Sequence, residues 1–254
     1  MTSVSADPAF APRNEHVQRH AYSALRRPEM FMAPLLKTMI EEGIRAHCRA
    51  DPAASALDVG CGRQPFRALL QERVGTYVSL DAQAADSVVP DYICAIDRPL
   101  VPALIATGPF AFILCTEVME HVADWPAAFS NLARLLAPGG RLLLTAPHFY
   151  ILHEEPYDFY RPTIHAFEFF AQRHDLRVVE IRRAGDCWDM LGTMFGSCRF
   201  DPVGKGWGDW LLAKTLWRVR NAAFRAIHNG WIRRHVRFGG PTYLSNYVVL
   251  ERLG

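Results

Sequence analysis

Ala56-Leu57-Asp58-Val59-Gly60-Cys61-Gly62-Arg63-Gln64-Pro65 is the stretch whose reading decides the fold of this chain. A short apolar run carries an acid, two glycines follow one residue apart, and the next residues are able to open a helix. That is the grammar of the turn between the first strand and first helix of a doubly wound sheet. Glycine at 60 and 62 lets the backbone bend sharply and approach a ligand with no Cβ in the way. A helix starting near Gln64 would aim its free N–H groups at the same spot. Gly-x-Gly alone is common in turns of no function, so the reading depends on what stands at the expected distances downstream.

The totals set the frame. The 254 residues suffice for one α/β domain with insertions, or at most two small domains. Half of them are apolar and 21% are charged, which excludes wholesale disorder. A formal net charge of +2 gives no compositional signal for nucleic acid. Six cysteines without a Cys-x-x-Cys pair argue against a disulfide scaffold or a zinc ribbon. Residues 1–12 lack the apolar core of a leader, and no window reaches the apolar length of a spanning helix, so a cytoplasmic location is expected.

Residues 1–14 read as a loose tail rich in Ala, Ser and Pro. Val17, Tyr22 and Leu25 form one helical stripe, and Met30, Phe31, Leu35, Leu36, Met39, Ile40 and Ile44 form another after Pro28. These helices are core cover or a cap over the ligand site. After the glycine turn, Phe66, Leu69 and Leu70 mark a helix, and Tyr77-Val78-Ser79-Leu80-Asp81 is a strand ending in an acid. Asp81 stands 23 residues after Asp58, near where dinucleotide folds place the carboxylate that holds ribose hydroxyls. Asp91–Asp97 reads as a third strand, Phe110–Cys115 as a fourth, Trp125–Leu136 as a helix closed by Pro138-Gly139-Gly140, and Arg141–Pro147 as a fifth strand. Alternating strands and helices imply a parallel sheet whose ligands gather at the strands' carboxyl ends.

Five pieces in order, LDVGCG (57–62), YVSLD (77–81), Asp97, EVMEHV (117–122) and LLAPGGRLLLTAP (135–147), resemble the class I S-adenosylmethionine-dependent methyltransferases, in the branch called methyltransferase type 11. The resemblance implies a Rossmann-like, doubly wound seven-stranded α/β sheet, with its last strand (Tyr243–Leu250) inserted antiparallel between the fifth and sixth. It also implies roles for individual positions. Gly60, Cys61 and Gly62 would pass beneath the methionyl part of S-adenosyl-L-methionine, supported by Asp58. Asp81, with Ala82 beside it, would hold the ribose, Asp97 would face the adenine amino group, and the backbone at Cys115 and Thr116 would line the sulfonium. The family often has a third glycine where this chain has Gln64, a departure that bears on the loop geometry. A nicotinamide-binding reading fits less well, because Pro65 replaces its last glycine and the Glu-His and Pro-Gly-Gly pieces have no place in it.

On the acceptor side two segments offer candidate bases. The first is Glu117-Val118-Met119-Glu120-His121, similar to a run in ubiquinone-pathway O-methyltransferases that holds a divalent cation. Spacing of three and four would set Glu117, Glu120 and His121 on one side of a helical turn, but a hydrogen-bonded Glu-His pair without metal is the favoured reading. The second is the loop from His148 to Thr163, which resembles the His-x-Pro-x-Asp-x-x-Arg loop of many bacterial methyltransferases. His148, His153 and His121 are the candidate bases, and Glu117, Tyr157, Asp158 and Arg161 the candidate substrate residues, with Asp158 and Arg161 as an orienting or loop-locking pair. Thr163 is placed to cap the helix that follows, which runs through Phe167, Phe169 and Phe170 to Arg173.

Over 205–238, eight Lys or Arg accompany one acid, Asp209, among Trp207, Trp210, Leu211, Leu212, Leu216, Trp217 and Trp231. A lid or a homodimer face is the expectation, with peripheral membrane contact the alternative and nucleic acid disfavoured. The division expected is a tail and helical cap (1–50), a cofactor-binding core (51–184), a basic helical insertion (185–241) and a final core strand (242–254). The resulting function is methyl transfer from S-adenosyl-L-methionine to a small molecule, first an oxygen on a sugar, lipid-linked or secondary-metabolite acceptor. The alternative is a cofactor-binding regulatory or scaffolding protein without catalysis.

Overall fold

Strands form on the apolar runs, and helices form on the 3.6-residue stripes between them. The computed structural model describes Tyr22 and residues 27–84 and 88–254. The expected tail, and Val17 and Leu25 of the first stripe, lie outside the described residues. In chain order the elements open with α1 (Glu29–His47), β1 (Asp51–Val59), α2 (Arg67–Gln71), β2 (Val74–Asp81), β3 (Tyr92–Ile93), α3 (Pro102–Thr107) and β4 (Phe110–Thr116). A 3-10 turn (Met119–His121), α4 (Trp125–Leu135), β5 (Leu136–Pro147), α5 (Ile164–Arg173) and β6 (Leu176–Ala184) follow. Three helices, α6 (Cys187–Ser197), α7 (Trp207–His228) and α8 (Gly230–His235), then precede β7 (Ser245–Arg252).

The sheet runs β3-β2-β1-β4-β5-β7-β6. Every pairing is parallel except those of β7, which lies antiparallel between β5 and β6 as expected. Both faces are covered, so successive strand residues are apolar and alternate between two cores. Leu57, Val59, Leu142 and Leu144 join Trp125, Phe129 and Phe167 on one face. Ala56, Leu143, Tyr247 and Val249 join Phe31, Leu36, Ile40 and Phe224 on the other. α1 therefore serves as core cover, burying the stripe read from the sequence. α4 starts where the Asp124 carboxylate accepts the Ala127 N–H at 3.0 Å.

Four local expectations need correction. α2 starts at Arg67 and is five residues long, because Gln64 takes a left-handed φ of 56° and delays the helix. β3 is two residues, not seven. The chain leaves it for a turn in which the Arg98 N–H donates to the Ala95 carbonyl at 3.1 Å and the Asn131 side chain of α4 holds the carbonyls of Ile96 and Arg98. The Pro138-Gly139-Gly140 piece belongs to β5 itself. A Cβ at Gly140 would stand 2.8 Å from the Ala137 carbonyl oxygen and 3.1 Å from that of Ala111, so glycine lets the strand kink against β4. Finally, Thr163 occupies the N-cap of α5 without a side-chain cap bond, and the Tyr243 hydroxyl instead accepts the Ile164 N–H at 3.3 Å.

Trp125 ties one core to the acceptor side, since its indole N–H donates to the Met119 carbonyl at 2.9 Å. Its ring meets Phe129, Tyr160, Phe167 and Phe170. Trp125→Ala is expected to destabilise by about 3–5 kcal/mol, read as a lowered urea midpoint at unchanged slope. A loss below about 1 kcal/mol would contradict this packing.

Candidate active site

The registers align the strand tips in one row. Val59 pairs with Leu80 of β2 and Cys115 of β4, while Leu80 pairs with Tyr92 and Thr116 with Thr145. The chain leaves β1 at Gly60, whose φ is 66°. A Cβ there would fall 2.2 Å from Val118 Cγ2, so two constraints call for glycine. The Gly60 N–H donates to the Leu80 carbonyl at 2.8 Å. Gly62, with φ 48°, donates its N–H to Asp81 Oδ2 at 2.9 Å. The glycine turn and the β2 acid thus meet directly. Gln64 keeps the left-handed backbone expected of a glycine, and its N–H closes on the Cys61 carbonyl at 2.7 Å.

Beneath the turn, Asp58 is buried and accepts the Tyr77 hydroxyl at 2.8 Å. Burial pushes its carboxyl up to about 7; the Tyr77 hydrogen bond opposes this and the Asp81 charge adds to it. Burial, together with Asp58 and Asp81, also raises the Cys61 thiol. Cys115 is fully buried. Thr116 Oγ1 accepts a hydrogen bond from the Tyr22 hydroxyl at 3.0 Å. Ala82 follows Asp81 in the bend, where the Gln83 N–H turns back to Asp81 Oδ1 at 3.3 Å. Asp97 stands in a turn beyond β3, and its Oδ2 accepts the Asp124 N–H at 3.3 Å, linking that turn to the start of α4.

The acceptor side differs from its sequence reading. Glu117 has a left-handed φ of 55°, a strained state for a side chain of this size. It is held there by its N–H to the Thr145 carbonyl at 2.9 Å and by Ser245 Oγ, which donates to Oε1 at 3.3 Å. This kink keeps Glu117 out of the 3-10 turn. The expected grouping of Glu117 with Glu120 and His121 does not form; Glu120 and His121 converge with His153 instead. One ligand atom of each of these three buried residues lies within 4.8 Å of the other two. His121 donates Nδ1–H to the Tyr157 carbonyl at 2.8 Å, and His153 Nδ1 meets Asp158 Oδ2 at 3.1 Å. Each histidine is thus oriented through Nδ1.

Asp158 and Arg161 form a two-pronged pair, both contacts at 2.6 Å. Arg161 also donates to the carbonyls of Tyr150 and Ile151. Burial alone would raise the Asp158 carboxyl, but Arg161 and the His153 N–H hold it below the usual range. The pair locks the loop, and the Phe159 N–H straps it to the Glu120 carbonyl at 2.9 Å. Tyr157 is buried within it. His148 stands apart from this lock: half-buried, it stacks on Tyr243 at 4.2 Å. Its Nδ1 points at the Pro162 carbonyl at 3.1 Å, which leaves Nε2 as the basic nitrogen of the neutral ring. Sequence reasoning gave no site role to Tyr22, Tyr243, Ser245 and Glu154, whose contacts join segments distant in the chain or depend on a left-handed turn.

A family described as a methyltransferase domain matches residues 17–177, well over half of the chain. The chain belongs to that family. Its fold is the Rossmann-like one of S-adenosylmethionine-dependent class I methyltransferases. The ubiquinone biosynthesis O-methyltransferase of Xanthomonas oryzae pv. oryzae is 36% identical to this methyltransferase over 107 residues, covering 36% of the chain and 42% of that protein. The chain thus matches less than half the length of that curated relative. Among solved structures, the geranyl diphosphate C-methyltransferase of Streptomyces coelicolor A3(2), seen with S-adenosyl-L-homocysteine, superposes with a TM-score of 0.53 at 15% identity, covering 98% of this chain and 85% of that one. A SAM-dependent methyltransferase from Archaeoglobus fulgidus does so with 0.50 at 12% identity, covering 85% and 94%.

The Asp58 carboxyl sets a pH signature for this methyltransferase. The unfolded chain gives up this proton near pH 4, but the folded one holds it to about 7. Between those values the native state binds the extra proton, so stability falls as pH rises through the window and the loss is complete above it. In Asp58→Asn that fall should vanish, so urea midpoints across the window should diverge in the variant's favour. Parallel curves would refute the shift. Gly60→Ala should cost more than about 1 kcal/mol, and adding Val118→Ala should recover part of it.

Proposed function

We propose that this chain transfers the methyl group of S-adenosyl-L-methionine to an oxygen of a small-molecule acceptor bound under the loop from His148 to Thr163. The observation that carries the reading is the hydrogen bond from Gly62 to Asp81 beside the buried Asp58. It sets two acids beside the glycine turn at the tips of β1 and β2, suited to a ligand that carries two hydroxyls and a positive sulfonium. In this reading Asp81, with Ala82 beside it, holds the ribose. The turn Gly60-Cys61-Gly62 passes beneath the methionyl part with Asp58 behind it. Asp97 faces the adenine amino group, and the backbone at Cys115 and Thr116 lines the sulfur.

A sulfonium methyl is already electrophilic, so the protein's work is alignment, exclusion of water and removal of the acceptor proton. Of the three histidines, His148 is the base in this reading. Its partly exposed ring and its fixed tautomer support that role, whereas His121 and the loop's own His153 are buried. Glu117, held in its strained turn and tied to Ser245 of β7, is the substrate residue in this reading. Tyr157, Asp158 and Arg161 act by keeping the loop in shape. The O-methyltransferase name of the partial sequence relatives supports an oxygen acceptor. Exposed Leu152, Phe159 and Tyr160 on the same loop support an acceptor with an apolar portion, such as a lipid-linked one.

A second reading adds a divalent cation held by Glu120, His121 and His153. The convergence of their ligand atoms, with both rings oriented through Nδ1, favours it. Such an ion would polarise the acceptor oxygen. Manganese titration followed by electron paramagnetic resonance should then give one bound signal that His153→Ala removes; no bound signal would rule the ion out.

Calorimetry tests the main reading. S-adenosylmethionine should bind, Asp81→Ala should weaken binding at least about tenfold through lost charge-assisted hydrogen bonds, and reduced nicotinamide dinucleotide should give no heat. With an acceptor in hand, His148→Ala should lower kcat about a hundredfold or more with cofactor affinity unchanged. Cofactor binding with no methyl transfer to any of a panel of hydroxylated acceptors would favour a regulatory protein; tight nicotinamide binding without S-adenosylmethionine binding would overturn the assignment.

A further inference from the structure

The insertion before β7 presents a surface that the cofactor crevice does not use. α7 is held by its second half, where Arg220, Asn221, Phe224 and Ile227 are buried. Arg220 donates to the Cys198 carbonyl, and Arg27 donates to Asn221 Oδ1 at 2.6 Å. The ring of Phe224 meets Phe31 of α1 edge-on at 5.6 Å. In the first half of α7 only Ala213 is buried. Trp207 is 75% exposed, Leu212 61% and Trp217 50%, and Trp210, Leu216 and Val219 are exposed with them. These side chains are spread around the helix rather than along one stripe, so no single neighbouring helix would cover them all.

The charge around them is one-sided. Residues 205–238 carry eight Lys or Arg against Asp209 alone, net +7, which leaves −5 for the remainder of a chain whose total is +2. Arg220 is buried and Arg233 pairs with Asp189 at 2.5 Å. Lys205, Lys214, Arg218, Arg225, Arg234 and Arg237 are exposed. Lys214 lies over the Trp210 ring at 4.3 Å, placing a cation and an indole at the same depth.

We propose that the exposed first half of α7 docks this protein on an anionic lipid surface. Indole rings favour the boundary between headgroups and acyl chains, and each cation near such a surface contributes about 1 kcal/mol. A second copy of the chain fits less well, since a symmetric contact would press six exposed cations, offset by Asp209 alone, against six more. The contact is peripheral, because no helix among the described residues is long and apolar enough to cross a membrane.

Flotation with phosphatidylcholine vesicles, with and without phosphatidylglycerol, tests the proposal. The protein should float with the phosphatidylglycerol vesicles, its tryptophan emission should shift to the blue, and both effects should weaken with salt. The triple variant Trp207→Ser, Trp210→Ser, Trp217→Ser and the double variant Lys214→Glu, Arg218→Glu should each lose at least about tenfold in vesicle affinity, while calorimetry shows cofactor binding unchanged. Failure to float, or flotation indifferent to these substitutions, overturns the proposal. So does a concentration-dependent dimer that the tryptophan variant abolishes, which would assign the surface to a second copy. Binding to duplex oligonucleotide without vesicle binding would assign it to nucleic acid.

Discussion

The hydrogen bond from the Gly62 N–H to the Asp81 carboxylate is the contact on which the rest of the structure depends. It requires β1 and β2 to end level, which their parallel register provides. It requires the chain to turn back at Gly60, where φ and the nearness of Val118 leave room for no side chain. Burial of Asp58 beneath this turn raises its carboxyl to about 7, and the nearby Asp81 charge adds to the shift. Negative charge held in a dry strand tip has a cost that a bound cation would offset.

The second constraint is the rigidity of the loop across the neighbouring tips. A loop this polar and aromatic would wander in water unless its backbone groups were satisfied. Here Asp158 ties Arg161 to the His153 backbone, Arg161 reaches three carbonyls, and the Glu120 carbonyl accepts the N–H groups of Phe159 and Tyr160. The loop is therefore fixed to the segment that leaves β4, and His148 stands at its edge. The aromatic cluster around Trp125 supports the same segment from the core side.

What was legible in the sequence was local or periodic. The glycine turn, the acid 23 residues after Asp58 and the apolar runs specify adjacent tips of parallel strands, because each is set within a few residues. The antiparallel place of β7 came from the resemblance and not from any pattern in Tyr243–Leu250. The convergence of Glu120 and His121 with His153 spans more than thirty residues and depends on a left-handed backbone at Glu117 that no residue preference announces. Gln64 hides the same geometry, since a side chain there masks a turn normally signalled by glycine. Tyr22 meets Thr116 across 94 positions and could not be read at all. The insertion read as a lid or a dimer face; among the described residues, Trp207, Trp210, Leu212, Leu216 and Trp217 of α7 are exposed.

The most direct measurement is a crystal structure of the chain with S-adenosyl-L-homocysteine. The ribose hydroxyls should lie within hydrogen-bond distance of Asp81, with the Gly60–Gly62 backbone under the amino-acid portion and the sulfur beside Thr116. Density for the ligand elsewhere, or an adenosine that leaves Asp81 untouched, would contradict the account.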